Sequence, residues 1–230
     1  MDFMKNKIKQ ERTIAVDTET TGLSPKENSL LSIGAVDLAT GDTFKMDCRV
    51  QDGRIVNDKA LEVNGFTKEE IYDKSKPSAE EAVEAFEKFV KSHNGKVLIG
   101  YNFSFDLSFL YYAKYKSISS FKITPYAIDL EEVMLKEVLP NDKLYPLSEK
   151  EKVEGRYPSL NASLNYFNSP DEMKPHISLT GAIESAELYC LMKYKMHFIE
   201  TINTPLPPIY NTITIPVDKY IKDISLFVKQ

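Results

Sequence analysis

The sequence of 230 residues has no tryptophan, only two cysteines and no excess of positive charge. Cys48 and Cys190 form no CxxC pair and are too few for a disulfide framework, so both thiols are expected to be reduced and buried. No run of about 18 apolar residues occurs, which excludes a transmembrane helix of ordinary length. The net charge of −5 argues against a protein that coats nucleic acid non-specifically.

The composition is otherwise that of an ordinary globular protein, with 42% apolar and 27% charged residues. A chain of this length supports one sizeable core with a small appendage. We expect one domain over residues 1–200 and a C-terminal extension, richer in Pro and β-branched residues, over residues 201–230. The N-terminal segment is too polar for a secretory signal, so we expect a soluble, cytoplasmic protein without a membrane partner.

A short apolar run that ends in two carboxylates is the most informative feature of the sequence. It reads Ile14-Ala-Val-Asp17-Thr-Glu19-Thr-Thr-Gly22-Leu23, and its apolar, β-branched start predicts a buried strand. Side chains two apart on a strand share a face, so Asp17 and Glu19 project together. Two buried carboxylates are costly unless a cation lies between them, and hard oxygen ligands favour Mg²⁺ or Mn²⁺. The alternative is that both acids lie in a solvated loop after the strand.

The first part of the chain predicts an antiparallel sheet followed by a helix. Apolar runs at residues 30–36 and 43–50 predict two further strands, joined by a turn at residues 39–42. Three strands joined by short connections cannot be parallel neighbours. Residues 79–93 carry apolar side chains at three- and four-residue spacing, which predicts an amphipathic helix with Gly95 as its stop.

Strands and helices are predicted to alternate in the remainder of the chain. The expected elements are strands at residues 96–102 and 126–129, helices at 103–115, 130–138, 160–167 and 179–195, and an exposed loop at 140–158. The tail after residue 201 is expected to hold one or two strands. Together these elements predict an α/β fold with a mixed central sheet, antiparallel over its first three strands.

Three motifs occur in order at the predicted junctions of strands and helices. They are Asp17-Thr-Glu19, Gly100-Tyr-Asn102-Phe-Ser-Phe-Asp106, and Pro175-His176 before the last long helix. In this order they resemble the DEDDh 3′–5′ exonucleases, the DnaQ-like group that includes the proofreading subunit of bacterial replicative polymerase. The resemblance covers residues 13–195 and implies the ribonuclease H-like fold, with three layers around a mixed sheet. Residues 63–67 resemble the family's substrate-side loop.

The resemblance implies hydrolysis with two divalent metal ions, Mg²⁺ or Mn²⁺. Asp17 would contact both ions, Glu19 the ion that carries the attacking water, and Asp106 the other ion. His176 would accept the proton of that water, as a neutral imidazole can near neutral pH. Without the resemblance, Asp106 would be typical of a helix N-cap and His176 of an ordinary exposed loop.

The substrate implied by the resemblance is the 3′ end of single-stranded DNA or RNA. Thr20 and Thr21 would position the terminal nucleotide, and Leu23 and Phe66 would wedge against the last base. Asn102 is expected on the substrate side, where it orders the turn from strand to helix rather than binding metal.

One position departs from the family's pattern. The third motif of the family ends in an Asp five residues after the His, and this chain has Gly181 there. The fourth carboxylate is therefore missing. Glu184 lies one turn further along the same helix face and is the candidate replacement ligand, with Glu187 a weaker candidate. Asn64 stands where a His is common in the family's substrate-side loop.

Two functions of different classes remain open at this point. The first is a metal-dependent 3′–5′ exonuclease, which the ordered acids and His176 support. The second is a catalytically impaired module that binds nucleic-acid ends or a polymerase or repair partner, which Gly181 and the lack of basic charge support. In a third interpretation the acid pair belongs to an unrelated phosphatase, but the His176 motif is then unexplained.

Overall fold

The computed structural model describes residues 12–115, 123, 126–138, 158–195, 197–198 and 215–216. Its sheet has six strands in the order β3-β2-β1-β4-β5-β6. They are β1 (Thr13–Thr20), β2 (Leu30–Asp37), β3 (Thr43–Asp47), β4 (Val97–Gly100), β5 (Tyr126–Asp129) and β6 (Ile215–Pro216). The first three strands pair antiparallel, whereas β4 runs parallel to β1 and β5 runs parallel to β4. The predicted mixed sheet is therefore confirmed.

Helices cover both faces of this sheet. They are α1 (Asp58–Asn64), α2 (Lys68–Tyr72), α3 (Ala79–Ser92), α4 (Phe103–Lys114), α5 (Leu130–Val133), α6 (Leu160–Tyr166) and α7 (Ser178–Tyr194). A π-helical segment, Met134–Val138, continues α5. The five helical regions predicted from residue 79 onward are thus present close to their predicted bounds.

The alternation of side chains along β1 separates two hydrophobic cores. Ile14 and Val16 belong to the core that includes residues of α3 and α4, whereas Ala15 belongs to the core formed with α5, α6 and α7. This arrangement confirms the three layers of the expected fold. Asp17 and Glu19 follow Ala15 at two-residue spacing, so the strand directs both carboxylates toward the α7 face.

The substrate-side loop predicted at residues 63–67 is a tight connection between two short helices. Asn64 ends α1, Gly65 adopts a left-handed conformation with φ of 75°, and Thr67 caps α2. These helices have seven and five residues, too few to show a helical period in the sequence. The local signal for them is the capping box formed by Thr67 and Glu70.

The end of α3 differs in one detail from the prediction. The residue with positive φ is Asn94, at 53°, and not Gly95. A Cβ atom at Gly95 would lie 2.7 Å from the Cδ1 atom of Ile14. Gly95 is therefore a position of close packing against the side chains of Ile14 and Val90 rather than one with a left-handed backbone.

Part of the predicted C-terminal extension joins the sheet. Ile215 and Pro216 pair antiparallel with Ala127 and Tyr126 on β5. The rest of the tail after residue 201, and the loop predicted at residues 140–158 apart from its last residue, lie outside the described residues.

The predictions about the two cysteines and about transmembrane helices can be compared with this structure. Cys48 and Cys190 are both buried thiols, as predicted. Among the described residues, no helix is long and apolar enough to cross a membrane.

Candidate functional site

The carboxylates of β1 line an open cleft of about 250 Å³. The opposite wall is formed by the first turns of α7 and by the loop that precedes this helix. Its lining side chains with oxygen or nitrogen ligands are Asp17, Glu19, Glu172, His176, Thr180 and Glu184. The first and third sequence motifs, which lie about 160 residues apart in the chain, therefore meet at one place.

Asp17 and Glu19 repel each other and lack compensating donors. Burial raises the pKa of Asp17 well above its usual range, and the charges of Asp106 and Glu19 raise it further. Burial, followed by the charge of Asp106, raises the pKa of Glu19 to about 8. Neither carboxylate accepts a hydrogen bond from any residue that the structure describes. A cation in the cleft would relieve this repulsion.

Asp106 is held against β1 by Thr18. The pairing of β1 with β4 covers Thr13 to Ala15, and beyond it the Asp106 carboxylate accepts the backbone N–H of Thr18 at 2.8 Å and its hydroxyl at 2.7 Å. Burial raises the pKa of Asp106 to about 7, and the hydrogen bonds from Thr18 oppose this rise. Asp106 is not a helix cap, because the N-cap of α4 is Asn102.

Asn102 and Asp129 order the two neighbouring helix starts. Asn102 is exposed, has φ of 49° and makes no capping hydrogen bond through its side chain, so its backbone shapes the turn as predicted. Asp129 caps α5 by accepting the N–H of Glu131 at 3.1 Å. Burial raises the pKa of Asp129 to about 6, and its charge in turn raises the pKa of Asp106.

Gly181 packs directly against the carboxylate of Asp17. A Cβ atom at this position would lie 2.6 Å from the Cγ atom of Asp17. The cause is the close approach of α7 to the sheet, since a Cβ atom at Gly34 on β2 would lie 2.1 Å from the carbonyl carbon of Ser178. The space for a side chain at position 181 is therefore already occupied by Asp17.

The two replacement candidates on α7 have different surroundings. Glu184 lines the cleft, and its Oε1 atom accepts the N–H of Met173 at 2.8 Å. Burial raises the pKa of Glu184. Glu187 instead accepts the N–H of Phe198 at 2.7 Å and contacts Nδ1 of His197 at 2.5 Å. Glu184 but not Glu187 lines the cleft, so Glu184 stays the stronger candidate ligand.

His176 lies at the rim of the cleft with a carboxylate behind it. Its backbone N–H donates to the carbonyl of Val63 at 3.1 Å, which anchors the loop to α1. Its Nδ1 atom lies 3.4 Å from Oε1 of Glu172, and its Nε2 atom contacts Nζ of Lys174. Sequence reasoning missed Glu172. The available signal was an acid four residues before the motif His, within the same loop.

The residues expected to contact the substrate differ in their exposure. Leu23 is 85% exposed beside the first motif, as a wedge requires, and Phe66 is half-buried beneath Nζ of Lys76. Thr20 and Thr21 are buried, and their hydroxyls donate to the carbonyls of Gly22 and Ile55. These two threonines therefore hold the loop that carries Leu23. That Thr20 and Thr21 position the terminal nucleotide stays a prediction.

The donors in the cleft suit a hard divalent cation. Asp17 and Glu19 are adjacent carboxylates without hydrogen-bond donors, and carboxylate oxygen is the preferred protein ligand of Mg²⁺. Within the described ranges, no three His, Cys, Asp or Glu side chains already stand close enough together to enclose an ion. Repulsion between the negative charges of the acids is consistent with their lying apart. Their carboxylate oxygens are ligands of the kind that a hard divalent cation prefers.

Comparison with known proteins identifies similar chains. A family model described as exonuclease (RNase_T) matches residues 14–188. The epsilon subunit of DNA polymerase III from Buchnera aphidicola subsp. Acyrthosiphon pisum (strain APS) is 26% identical over 203 residues, which are 83% of this chain and 82% of that protein.

Solved structures show the same fold at lower identity. E. coli Exonuclease I in complex with a dT13 oligonucleotide has a TM-score of 0.58 at 17% identity, covering 83% of this chain and 42% of that one. The Mg²⁺- and Mn²⁺-bound form of S. pombe Pop2p has a TM-score of 0.55 at 12% identity, covering 84% of this chain and 88% of that one. This chain thus spans less than half the length of Exonuclease I.

Proposed function

This chain belongs to the exonuclease family whose model spans residues 14–188, and we propose that it is a metal-dependent 3′–5′ exonuclease acting on single-stranded nucleic acid. The observation that carries the proposal is the pair of unpartnered carboxylates, Asp17 and Glu19, which face His176 across one cleft. A cleft that gathers acids and a single imidazole suits an anionic substrate only when cations are also bound.

We propose that Asp17, Glu19 and Asp106 hold Mg²⁺ or Mn²⁺, with Glu184 as a further ligand from α7. Two such ions, when bound, activate a water molecule and stabilise the charge on the leaving 3′ oxygen. The protein's own contribution is to align the carboxylates and, for Asp106, to oppose part of the rise in pKa that burial causes. Thr18 does so for Asp106 through its two hydrogen bonds.

His176 is the proposed general base. It is a loop residue with 31% of its side chain exposed, so an attacking water can reach its ring from the cleft. An imidazole suits this role because a neutral ring carries a nitrogen lone pair that can accept the proton of water. The proton taken from water would pass from the imidazole to solvent at the open rim.

The proposed substrate is a 3′ end of DNA or RNA, with Leu23, Phe66 and Asn102 as contacts to the last nucleotides. DNA is the first choice because the similar epsilon subunit is part of a DNA polymerase and the similar Exonuclease I is bound to dT13. We further propose residues 1–200 as the exonuclease domain, and a polymerase or repair protein as a partner.

A catalytically impaired binding module is the second candidate. The observation that favours it is Gly181, which supplies no fourth ligand and where the carboxylate of Asp17 lies 2.6 Å from the place of an added Cβ atom. In that case the chain would bind a single-stranded end without shortening it.

The first experiment measures the shortening of 5′-labelled single-stranded DNA and RNA with Mg²⁺, Mn²⁺ or EDTA. We expect metal-dependent removal of nucleotides from the 3′ end, reduced about 100-fold or more in Asp17→Asn because the central ligand is lost. Glu184→Gln is expected to lose about tenfold, whereas Glu187→Gln, an acid on the same helix outside the cleft, is the matched control.

Two outcomes would contradict the proposal. Binding of the labelled strand without any shortening by the wild type would favour the binding module. Shortening of the labelled strand that persists in Asp17→Asn or in EDTA would show that the reaction does not take place in this cleft.

A further inference from the structure

Glu172 is the acid of the cleft that neither the family motifs nor the proposed metal set uses. It lies in the loop between α6 and α7, and 15% of its side chain is exposed. Its backbone N–H donates to Oδ1 of Asn161 on α6 at 2.7 Å. The loop is therefore fixed at Glu172 by α6 and at His176 by Val63 on α1.

The charged contacts of Glu172 are cationic or imidazole groups, unlike those of the metal-site acids. Its Oε1 atom lies 3.4 Å from Nδ1 of His176, and its Oε2 atom lies 3.7 Å from Nζ of Lys174. Asp17 and Glu19 have no comparable contact among the described residues. Glu172 therefore differs from the other acids of the cleft in its contacts with His176 and Lys174, although its charge also acts on Asp17 and Glu19.

The groups that surround His176 favour one tautomer. Lys174 has only protons to donate, so Nε2 of His176 must supply a lone pair to it. The carboxylate of Glu172 is an acceptor, so it faces a proton on Nδ1. Both contacts are consistent with a neutral ring that is protonated at Nδ1 and bare at Nε2, which is the form able to accept a proton through Nε2.

We propose that Glu172 is a positioning residue, which holds His176 in the Nδ1-protonated tautomer and so makes Nε2 the basic atom of the cleft. This inference rests on the proposed function, in which His176 accepts a proton from water. Lys174 is 65% exposed and occupies the Nε2 side, so the substrate or its water displaces it during the reaction. The carboxylate also stabilises the imidazolium that forms.

The direct test is the tautomer of His176 in the full chain, measured by long-range ¹H–¹⁵N NMR with ¹⁵N-labelled histidine at mildly alkaline pH. The chain has only three histidines, and His176→Gln assigns the signal. We expect the Nδ1–H form in the wild type and a mixture of both tautomers in Glu172→Ala. Glu172→Gln keeps an acceptor and is expected to retain the Nδ1–H form, as is Glu184→Gln, an acid elsewhere in the cleft.

Kinetics and metal binding separate positioning from ligation. We expect Glu172→Ala to lower kcat about 10- to 100-fold with little change in KM or in Mn²⁺ affinity measured by calorimetry. Glu172→Gln should recover part of this loss, because it restores the tautomer without the charge. Asp17→Asn, in contrast, should lose Mn²⁺ affinity.

Three results would overturn the inference. They are an Nδ1–H signal that survives in Glu172→Ala, an unchanged kcat in both Glu172 variants, or a loss of Mn²⁺ affinity in Glu172→Gln as large as in Asp17→Asn. The NMR result is independent of catalysis, so a chain without nuclease activity that shows the expected tautomers would overturn the proposed function alone.

Discussion

Gly181 shows how a single residue changes the meaning of a motif. In the sequence, position 181 lacks the acid that ends the family's third motif, and Gly181→Asp would be the simplest substitution to restore it. In the structure the carboxylate of Asp17 occupies the space where a Cβ atom at this position would lie, so any side chain here competes with the central acid of the site. Restoring the acid would therefore require Asp17 to shift.

We predict that Gly181→Ala and Gly181→Asp both impair the site. Glycine to alanine within a helix ordinarily stabilises it by about 1 kcal/mol, but here the new Cβ atom would lie 2.6 Å from Cγ of Asp17 and must displace it. We expect nuclease activity and Mn²⁺ affinity to fall about 10- to 100-fold, since small displacements of a catalytic group have effects of this size.

Ile183→Ala, an exposed position on the same helix, is the control for this comparison. An increase of activity in Gly181→Asp above that of the wild type would show that Asp17 moves aside freely, and would contradict the prediction.

The acids of the site were not equally visible in the sequence. Asp17 and Glu19 follow from a two-residue spacing on one strand, which is a local pattern. Asp106 needed the order of the motifs, because its partner Thr18 is 88 residues away. Glu172 lies in a loop without periodicity, and only the fold of that loop brings it to His176.

At the level of elements, the close packing of α7 on β1 and β2 shapes the cleft. Gly34 admits the backbone of Ser178, and the hydroxyls of Ser32 and Ser178 lie 2.7 Å apart. Ala182, Ser185 and other small buried residues continue this face of the helix. Small side chains on both surfaces allow the helix to approach the sheet, which brings its first turns to the carboxylates.

We predict that Gly34→Ala destabilises the fold severely. The added Cβ atom would lie 2.1 Å from the carbonyl carbon of Ser178, so α7 must shift as a whole. Overpacking of this kind costs about 3 kcal/mol, and the midpoint of thermal unfolding should fall by about 6 to 12 °C.

Ser32→Ala is the matched change, because it removes the hydroxyl pair without adding volume. It is expected to cost about 1 kcal/mol. Equal unfolding midpoints for Gly34→Ala and the wild type would show that α7 can move away from β2 without a loss of stability, and would contradict the prediction.

Across the whole molecule, the buried acids make stability depend on pH. Burial raises the pKa of Glu19 from 4.5 to about 8 and that of Asp106 from 3.8 to about 7, and the pKa of Asp17 also lies well above its usual range. The folded chain therefore binds more protons than the unfolded chain between these values. By linkage, the free energy of unfolding of the metal-free protein falls as pH rises through this window.

We predict that the unfolding midpoint in EDTA decreases from about pH 5 to pH 8, the range over which Glu19 loses its proton only in the unfolded state. Mn²⁺ should reverse most of this decrease because it binds only the folded, ionised site. Glu19→Gln should be more stable than the wild type at pH 8 by about 1 to 3 kcal/mol, measured by thermal unfolding in EDTA.

Glu81→Gln is the control, because folding lowers the pKa of Glu81 whereas it raises that of Glu19. Hydrogen bonds from Ser78 lower the pKa of Glu81, so its stabilising contribution is lost as pH falls, and its removal should bring no gain at pH 8. A midpoint for the wild type in EDTA that stays constant from pH 5 to pH 8 would contradict the repulsion described for the site.

The sequence by itself determined which side chains share a face and in what order the elements follow. The periods of two and of three to four residues are local properties of strands and helices, so they predicted β1 with its two acids, the antiparallel first strands and the long helices. The short helices α1 and α2 were not predicted, because neither is long enough to show a helical period in the sequence.

Only the tertiary structure decided the distances within the site. The contact of Gly181 with Asp17, the hydrogen bonds of Thr18 to Asp106 and the approach of Glu172 to His176 all depend on how closely helices and loops pack on the sheet. Packing is set jointly by residues far apart in the chain, such as Gly34 and Ser178. A local sequence pattern predicts which way a side chain points, whereas the packing of the tertiary structure determines which atoms that side chain contacts.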